Sequence, residues 1–133
     1  MTLDPTLIPN FYKNKTLFVT GATGFLGKVL LEKLLRSLPN IKQIYVLVRS
    51  KPGMTIQERL NNEVFKSKIF DRMINDNFDK NMDNFLRYVH SKVTPIAGDM
   101  LGHRNNLDIV PSDIDQIVKN GGIDIVFHSA ATV

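Results

Sequence analysis

The sequence predicts an α/β fold, a doubly wound parallel sheet represented by about four strands with flanking helices. Three observations lead there. Apolar runs of strand length alternate along the 133 residues with stretches of helical periodicity. The second of these runs, QIYVLVR (43–49), is nearly continuously apolar, as a strand covered on both faces must be. The first run enters a glycine-rich turn, GATGFLG (21–27), that opens directly onto a helical pattern.

Each element follows in order. Residues 1–14 read as a lead-in. KTLFVT (15–20) is the first strand, and beyond the glycines Leu26, Leu30, Leu31, Leu34, Leu35 and Leu38 recur at helical spacing until Pro39 and Asn40 end the helix. The run 43–49 then completes a βαβ unit, whose strands should lie parallel through a right-handed crossover. After the polar turn SKPG, Thr55 is positioned to cap a helix over 56–67, with Glu58 three residues later completing the capping pattern. Residues 68–92, rich in Asp, Asn and aromatics, read as an insertion-like region of two short helical pieces, 69–76 and 80–90. KVTPIAG (92–98) is the third strand, with Pro95 where its missing N–H does no harm. PSDIDQIVKNGG (111–122) is a helix with proline at its start and glycines at its end, and IDIVFHSAA (123–131) is the fourth strand.

Composition narrows the function classes. One compact domain is the ceiling for this length, and 43% hydrophobic with 23% charged residues is globular. With no cysteine there is neither a disulfide framework nor a thiolate metal site, and His90, His103 and His128 lack the spacing of a shared metal site, so no metal is expected. No apolar run approaches the ~20 residues of a membrane span, and the N-terminus lacks a signal-peptide pattern. The net charge of +4 comes from 17 basic residues spread among 13 acidic ones, with no basic run, so no nucleic-acid partner is expected.

The glycine turn carries the chemistry. Gly21, Gly24 and Gly27 follow a G-x-x-G-x-x-G spacing between strand and helix, which reads as a Rossmann-like dinucleotide turn. Gly21 permits the tight exit, Gly24 admits a pyrophosphate close to backbone, and Gly27 lets the helix pack near the sheet. Thr23 lies in the same turn, and the N–H groups of Phe25 and Leu26 face the anion at the helix start. The end of the second strand discriminates among dinucleotides, because the adenosine ribose lies there. It holds Arg49, then Ser50 and Lys51, with no carboxylate to accept from a 2′-hydroxyl, which favours a 2′-phosphate and hence NADPH. Asp99 and the N–H of Met100, after the third strand, are candidates for the adenine edge, against a turn-forming role for Gly98-Asp99. The small Ala130 and Ala131 would let backbone approach the ribose, with Ser129 or Thr132 to hydrogen-bond nearby. His128 reads as a packed strand histidine. YVHSK (88–92) matches Y-x-x-x-K, a pair in which lysine lowers the tyrosine pKa for proton donation. Because Lys92 falls at the start of a strand, the two side chains should diverge, Tyr88 packing and Lys92 exposed to solvent.

With these residues in view, the chain resembles the N-terminal part of a fatty acyl-CoA reductase, an extended short-chain dehydrogenase/reductase. The resemblance rests on FVTGATGFLGKVLLEKLLR, on IYVLVRSKPGMTIQERLNNEVFKSKIFDRM and on IDIVFHSAATV, and covers most of residues 11–133. It implies a role for Arg59, ten positions after Arg49, as a second clamp on the 2′-phosphate. It implies that NADPH delivers hydride to the thioester of a long-chain acyl-CoA and then to the aldehyde, giving the alcohol, in a full-length protein at endoplasmic reticulum or peroxisomal membranes. The family's catalytic Tyr and Lys follow a fifth strand, so residues 1–133 are expected to form a single, incomplete NAD(P)-binding domain that is inactive by itself, with an apolar fourth strand left at the sheet edge. The alternatives are a non-catalytic NADP-binding module and a related reductase acting on carrier-bound thioesters or nucleotide sugars.

Overall fold

The computed structural model describes residues 2–102 and 106–130. Its centre is a sheet of four parallel strands, β1 (Thr16–Thr20), β2 (Gln43–Val48), β3 (Val93–Ala97) and β4 (Ile125–His128), in the order β3-β2-β1-β4. The register sets Phe18 beside Tyr45 on one side and Val126 on the other. The chain steps outward from β1 through β2 to β3, then crosses back to the far side of β1, so the strand order reverses between β1 and β4. Ligands of open parallel sheets bind beyond the carboxyl ends of strands at such a reversal.

Alternation along the strands builds two cores. Leu17, Val19, Ile44, Val46, Val48 and Val93 point to one face, where they meet Leu31, Leu34 and Leu35 of α2 (Phe25–Ser37) and Leu60 of α3 (Ile56–Leu60). Phe18, Tyr45, Leu47 and Ile96 point to the other, against Ile109 and Ile117, the latter on α6 (Pro111–Lys119). Each such side chain contributes about 1.5–3 kcal/mol on burial. Helices therefore lie on both faces, as the near-continuous apolar strands require.

The segment that reads as insertion-like in sequence supplies much of the first core. The helix expected over 56–67 is divided into α3 and a π-helical turn (Asn61–Phe65), and the region 68–92 follows as a 3-10 turn (Lys68–Phe70), α4 (Asp71–Phe78) and α5 (Met82–Lys92). Phe65, Phe70 and Phe85 are wholly buried, and Phe65 meets Phe70 and Phe85 edge-on at centroid distances of 5.6 and 6.1 Å. Edge-on ring pairs add about 0.5–1.5 kcal/mol beyond burial. The aromatic enrichment thus reflects a core layer that spacing alone did not reveal.

Other differences are local. The lead-in contains a short helix, α1 (Leu7–Tyr12), of which Tyr12 packs on the first core. Pro95 sits on the edge strand β3, where its missing N–H can face away from the ladder. The fourth strand begins at Ile125, its entry fixed by reciprocal 2.8 Å bonds: Thr16 N–H donates to Asp124 Oδ2, and Asp124 N–H donates to Thr16 C=O.

Candidate functional site

At the carboxyl ends of β1, β2, β3 and β4 lies a cleft of about 300 Å³ lined by Gly21, Thr23, Gly24, Leu47, Arg49, Arg59, Gly98, Asp99, Met100, Leu101, Ser129 and Ala130. Nine residues singled out in the sequence line it together: Gly21, Thr23, Gly24, Arg49, Arg59, Asp99, Met100, Ser129 and Ala130. Phe25 and Leu26 occupy the first turn of α2 with exposed side chains, and Gly27 is buried beneath the turn. Ala131 and Thr132 lie outside the described residues.

The three glycines of the turn serve different purposes. Gly21 adopts φ +76°, and a Cβ there would stand 2.6 Å from Ala130 N. A Cβ on Gly27 would stand 2.0 Å from the Gly21 carbonyl oxygen, so α2 could not approach β1 with any side chain at that position. Packing within the chain explains both. At Gly24 an added Cβ would meet only Gly21 O, at 3.4 Å, an ordinary contact, and yet the residue lines the cleft. Space left open at the N-terminus of α2 therefore suits close approach by a ligand. Gly24 is the N-cap and offers no side-chain acceptor, no acidic residue sits in the first turn, and first-turn N–H groups have no partner within a helix. That arrangement fits the pyrophosphate of a dinucleotide.

Thr20 organises the β1–β4 side of the cleft. Ser129 Oγ donates to Thr20 C=O at 2.6 Å, Ala130 N–H donates to Thr20 Oγ1 at 3.3 Å, and Thr20 Oγ1 shares a 2.7 Å hydrogen bond with His128 Nδ1. His128 is thus an exposed residue held by this bond, and not the packed histidine expected. The Ser129 hydroxyl is engaged in holding the two strand ends together. Across the cleft, Asp99 Oδ1 accepts from Leu101 N–H at 2.9 Å and Asp99 N–H donates to Leu107 C=O at 2.8 Å. Asp99 therefore forms the turn and lines the cleft at once.

The cationic end of β2 is tied to the helix that follows it. Arg49 is exposed on the cleft, whereas Arg59 is 8% exposed, and one of its Nη1 protons is donated to the Arg49 carbonyl. Arg59 Nε donates to Glu63 Oε2 at 2.5 Å, and Lys51 Nζ reaches Glu63 Oε1 at 2.6 Å. The bond from Lys51, with that from Arg59, holds the Glu63 carboxyl below the usual carboxylate range despite partial burial. Two cations, Lys51 and Arg59, converge on one carboxylate. Sequence reading missed Glu63, although its i,i+4 placement from Arg59 was a usable signal. It also missed Thr20, Leu47 and Leu101, which no local pattern marks, and read Gly98 only as part of a turn.

The Y-x-x-x-K pair lies at the opposite end of the sheet. Helix α5 runs through Lys92, so Tyr88 and Lys92 share one helix, contrary to the expected divergence. Tyr88 OH donates to Leu35 C=O at 3.2 Å, and Lys92, half-buried and not exposed as expected, donates from Nζ to Ile41 C=O at 2.7 Å. Burial pushes the Tyr88 phenol up, the reverse of what proton donation by an activated tyrosine requires. Among the described residues no cluster of potential metal ligands occurs, and no helix is long and apolar enough to cross a membrane.

Comparison with known proteins agrees with this geometry. The family model described as male sterility protein, an NAD-binding domain, matches residues 19–133. The chain is similar to fatty acyl-CoA reductase 1 of Homo sapiens, 44% identical over 126 residues, which are 95% of this chain and 22% of that protein. Fatty acyl-CoA reductase 2 of Mus musculus is 40% identical over 128 residues, 96% of this chain and again 22% of the relative. The chain thus spans about a fifth of the length of the curated relatives it matches. Among solved structures, the terminal R domain from the myxalamid PKS-NRPS pathway superposes with TM-score 0.61 at 26% identity, over 91% of this chain and 26% of that one. A thiolation-reductase di-domain from an archaeal non-ribosomal peptide synthetase gives 0.57 at 30% identity, with the same coverage.

Proposed function

We infer the function from one premise: the chain belongs to the male sterility protein family of NAD-binding domains. On that basis residues 1–133 are the NADPH-binding portion of a fatty acyl-CoA reductase, and the complete enzyme reduces a long-chain acyl-CoA thioester to the alcohol through the aldehyde. Identities of 40–44% to acyl-CoA reductases, against 26–30% to synthetase reductase domains, favour coenzyme A over a carrier protein as the thioester's bearer.

The observation that carries the choice of NADPH is the set of cations at the end of β2. Arg49 and Arg59 line the cleft where the adenosine ribose of a dinucleotide belongs, with Lys51 one turn away. Guanidinium groups bind a phosphate dianion through paired, charge-assisted hydrogen bonds. Gly24 and the first-turn N–H groups of α2 would hold the pyrophosphate, and Ser129-Ala130 would approach the ribose by backbone. When bound, the nicotinamide supplies hydride; the chain's own residues bind and orient the dinucleotide at the carboxyl ends of the strands.

Titration of the purified protein with each dinucleotide tests this. NADPH should bind at least about tenfold more tightly than NADH, since a charge-assisted contact to the 2′-phosphate contributes more than about 1.4 kcal/mol. Arg49→Ala should remove most of that preference while leaving NADH binding unchanged. Equal affinities in the wild type, or equal losses in the variant, would overturn the assignment.

A further inference from the structure

The cationic cluster contains a member that no phosphate would attract. Glu63 stands beside Arg59 and Lys51 and lines a neighbouring open cleft with Lys28, Asn62, Lys66 and Ser67, which the wall of Thr23 and Arg59 separates from the dinucleotide cleft. A carboxylate near a proposed dianion site would weaken binding unless its charge were already committed. Here both oxygens are committed, Oε1 to Lys51 Nζ at 2.6 Å and Oε2 to Arg59 Nε at 2.5 Å.

The backbone around Glu63 is built for this role. Lys51 is brought round by the Pro52-Gly53 turn, which a bridge between Lys51 and Met54 closes. Glu63 lies in the π-helical turn, where Lys66 N–H donates to Asn61 C=O, five residues back, at 3.0 Å. That wider turn puts Val64 and Phe65, adjacent in sequence, both wholly inside the core while Glu63 stays on the side of Arg59. Single π-turns within helices recur at functional sites.

We propose that Glu63 is a positioning residue that sets the preference for a 2′-phosphate, by holding the Arg59 guanidinium and the Lys51 turn in one fixed arrangement at the end of β2. The inference rests on the NADPH reading above. Glu63 and the Arg49 carbonyl engage two of the five guanidinium N–H donors and so fix the plane of the group. A guanidinium already fixed in this way loses less freedom when a ligand arrives. Lys51, about half exposed, is anchored by the same carboxylate and brings its charge to the same corner.

The test measures NADPH and NADH dissociation constants for wild type, Glu63→Ala and Glu63→Gln, with thermal melts recorded beside them. Glu63→Ala should weaken NADPH about tenfold and NADH less than about twofold, the loss of aim falling only on the 2′-phosphate contacts. Glu63→Gln keeps an acceptor for Arg59 Nε but not the ion pair with Lys51, and should weaken NADPH about threefold with a melt near wild type. It is the decisive variant should the alanine protein fail to fold. If wild type prefers NADPH and Arg49→Ala abolishes the preference while both Glu63 variants keep it, the positioning role is overturned and the NADPH reading stands. Parallel losses for both dinucleotides in the glutamine variant would overturn it too, as a merely structural effect. A wild type without preference overturns both.

Discussion

Two glycines six residues apart in one turn, Gly21 and Gly27, are fixed by the chain's own packing, whereas Gly24 between them is not. This difference separates stability from binding at single-residue resolution. Gly27→Ala would drive a Cβ to 2.0 Å from the Gly21 oxygen, and overpacking of that kind costs about 1–3 kcal/mol or more. Its melting temperature should fall by several degrees. Gly24→Ala meets only an ordinary 3.4 Å contact, so its melt should stay close to wild type while NADPH binding drops by about tenfold or more through loss of close backbone approach. A Gly24→Ala protein that binds NADPH normally would remove the pyrophosphate from this turn. The residue scale also shows why Y-x-x-x-K misleads. Spacing brings Tyr88 and Lys92 onto one helix, but their polar atoms serve the carbonyls of Leu35 and Ile41, far from the strand ends that make the cleft.

Among the elements, the short α3 carries a large share of the site. Five residues rarely hold a helix by themselves, and the capping box at its start compensates. Thr55 Oγ1 accepts from Glu58 N–H at 3.1 Å, and Glu58 Oε2 accepts from Thr55 N–H at 2.9 Å. Arg59 follows one turn later, its N–H bonded to Thr55 C=O. Thr55→Ala should therefore cost about 1 kcal/mol of stability and also weaken NADPH more than NADH, because the helix start that aims Arg59 is loosened. A calorimetric melt and the two dinucleotide titrations check both halves; a stability loss with no change in the NADPH-to-NADH ratio would show that the cap acts only on the fold. The capping box was legible in four consecutive residues. The π-turn beyond it was not, because it arises from the need to bury Val64 and Phe65 together against Phe70 and Phe85.

For the whole molecule, the two faces of the sheet are unequally covered. The first is packed by α2 through α5, while the second has α6 and the segment around Ile109. On that thinner face Val118 and Val126 are 66% and 60% exposed, and an apolar hollow is lined by Phe18, Ile114, Ile117 and Ile123. Strand β4, moreover, is an edge. Unpaired parallel edges beside apolar surface favour association. Residues 1–133 expressed by themselves should self-associate, and Val118→Lys with Val126→Lys should reduce this in sedimentation experiments. A wild-type chain that stays monomeric at high concentration, with a sharp melt, would contradict the expectation.

The sequence by itself determined what is written within one or two turns of chain: the strand–turn–helix at Gly21–Gly27, the apolar strands, the cap at Thr55 and the arginine at 49, while Arg59 drew its meaning only from the family resemblance. These are legible because backbone sterics and helical or strand periodicity act between near neighbours. Tertiary structure decided what depends on distant segments meeting. It set the strand order, turned residues 68–92 into a core layer, joined Ser129 and His128 to Thr20 across more than a hundred residues, and drew Lys51 and Arg59 onto Glu63. No local pattern specifies such meetings. They are settled by which arrangement of the whole chain buries its apolar faces while leaving buried polar groups partnered.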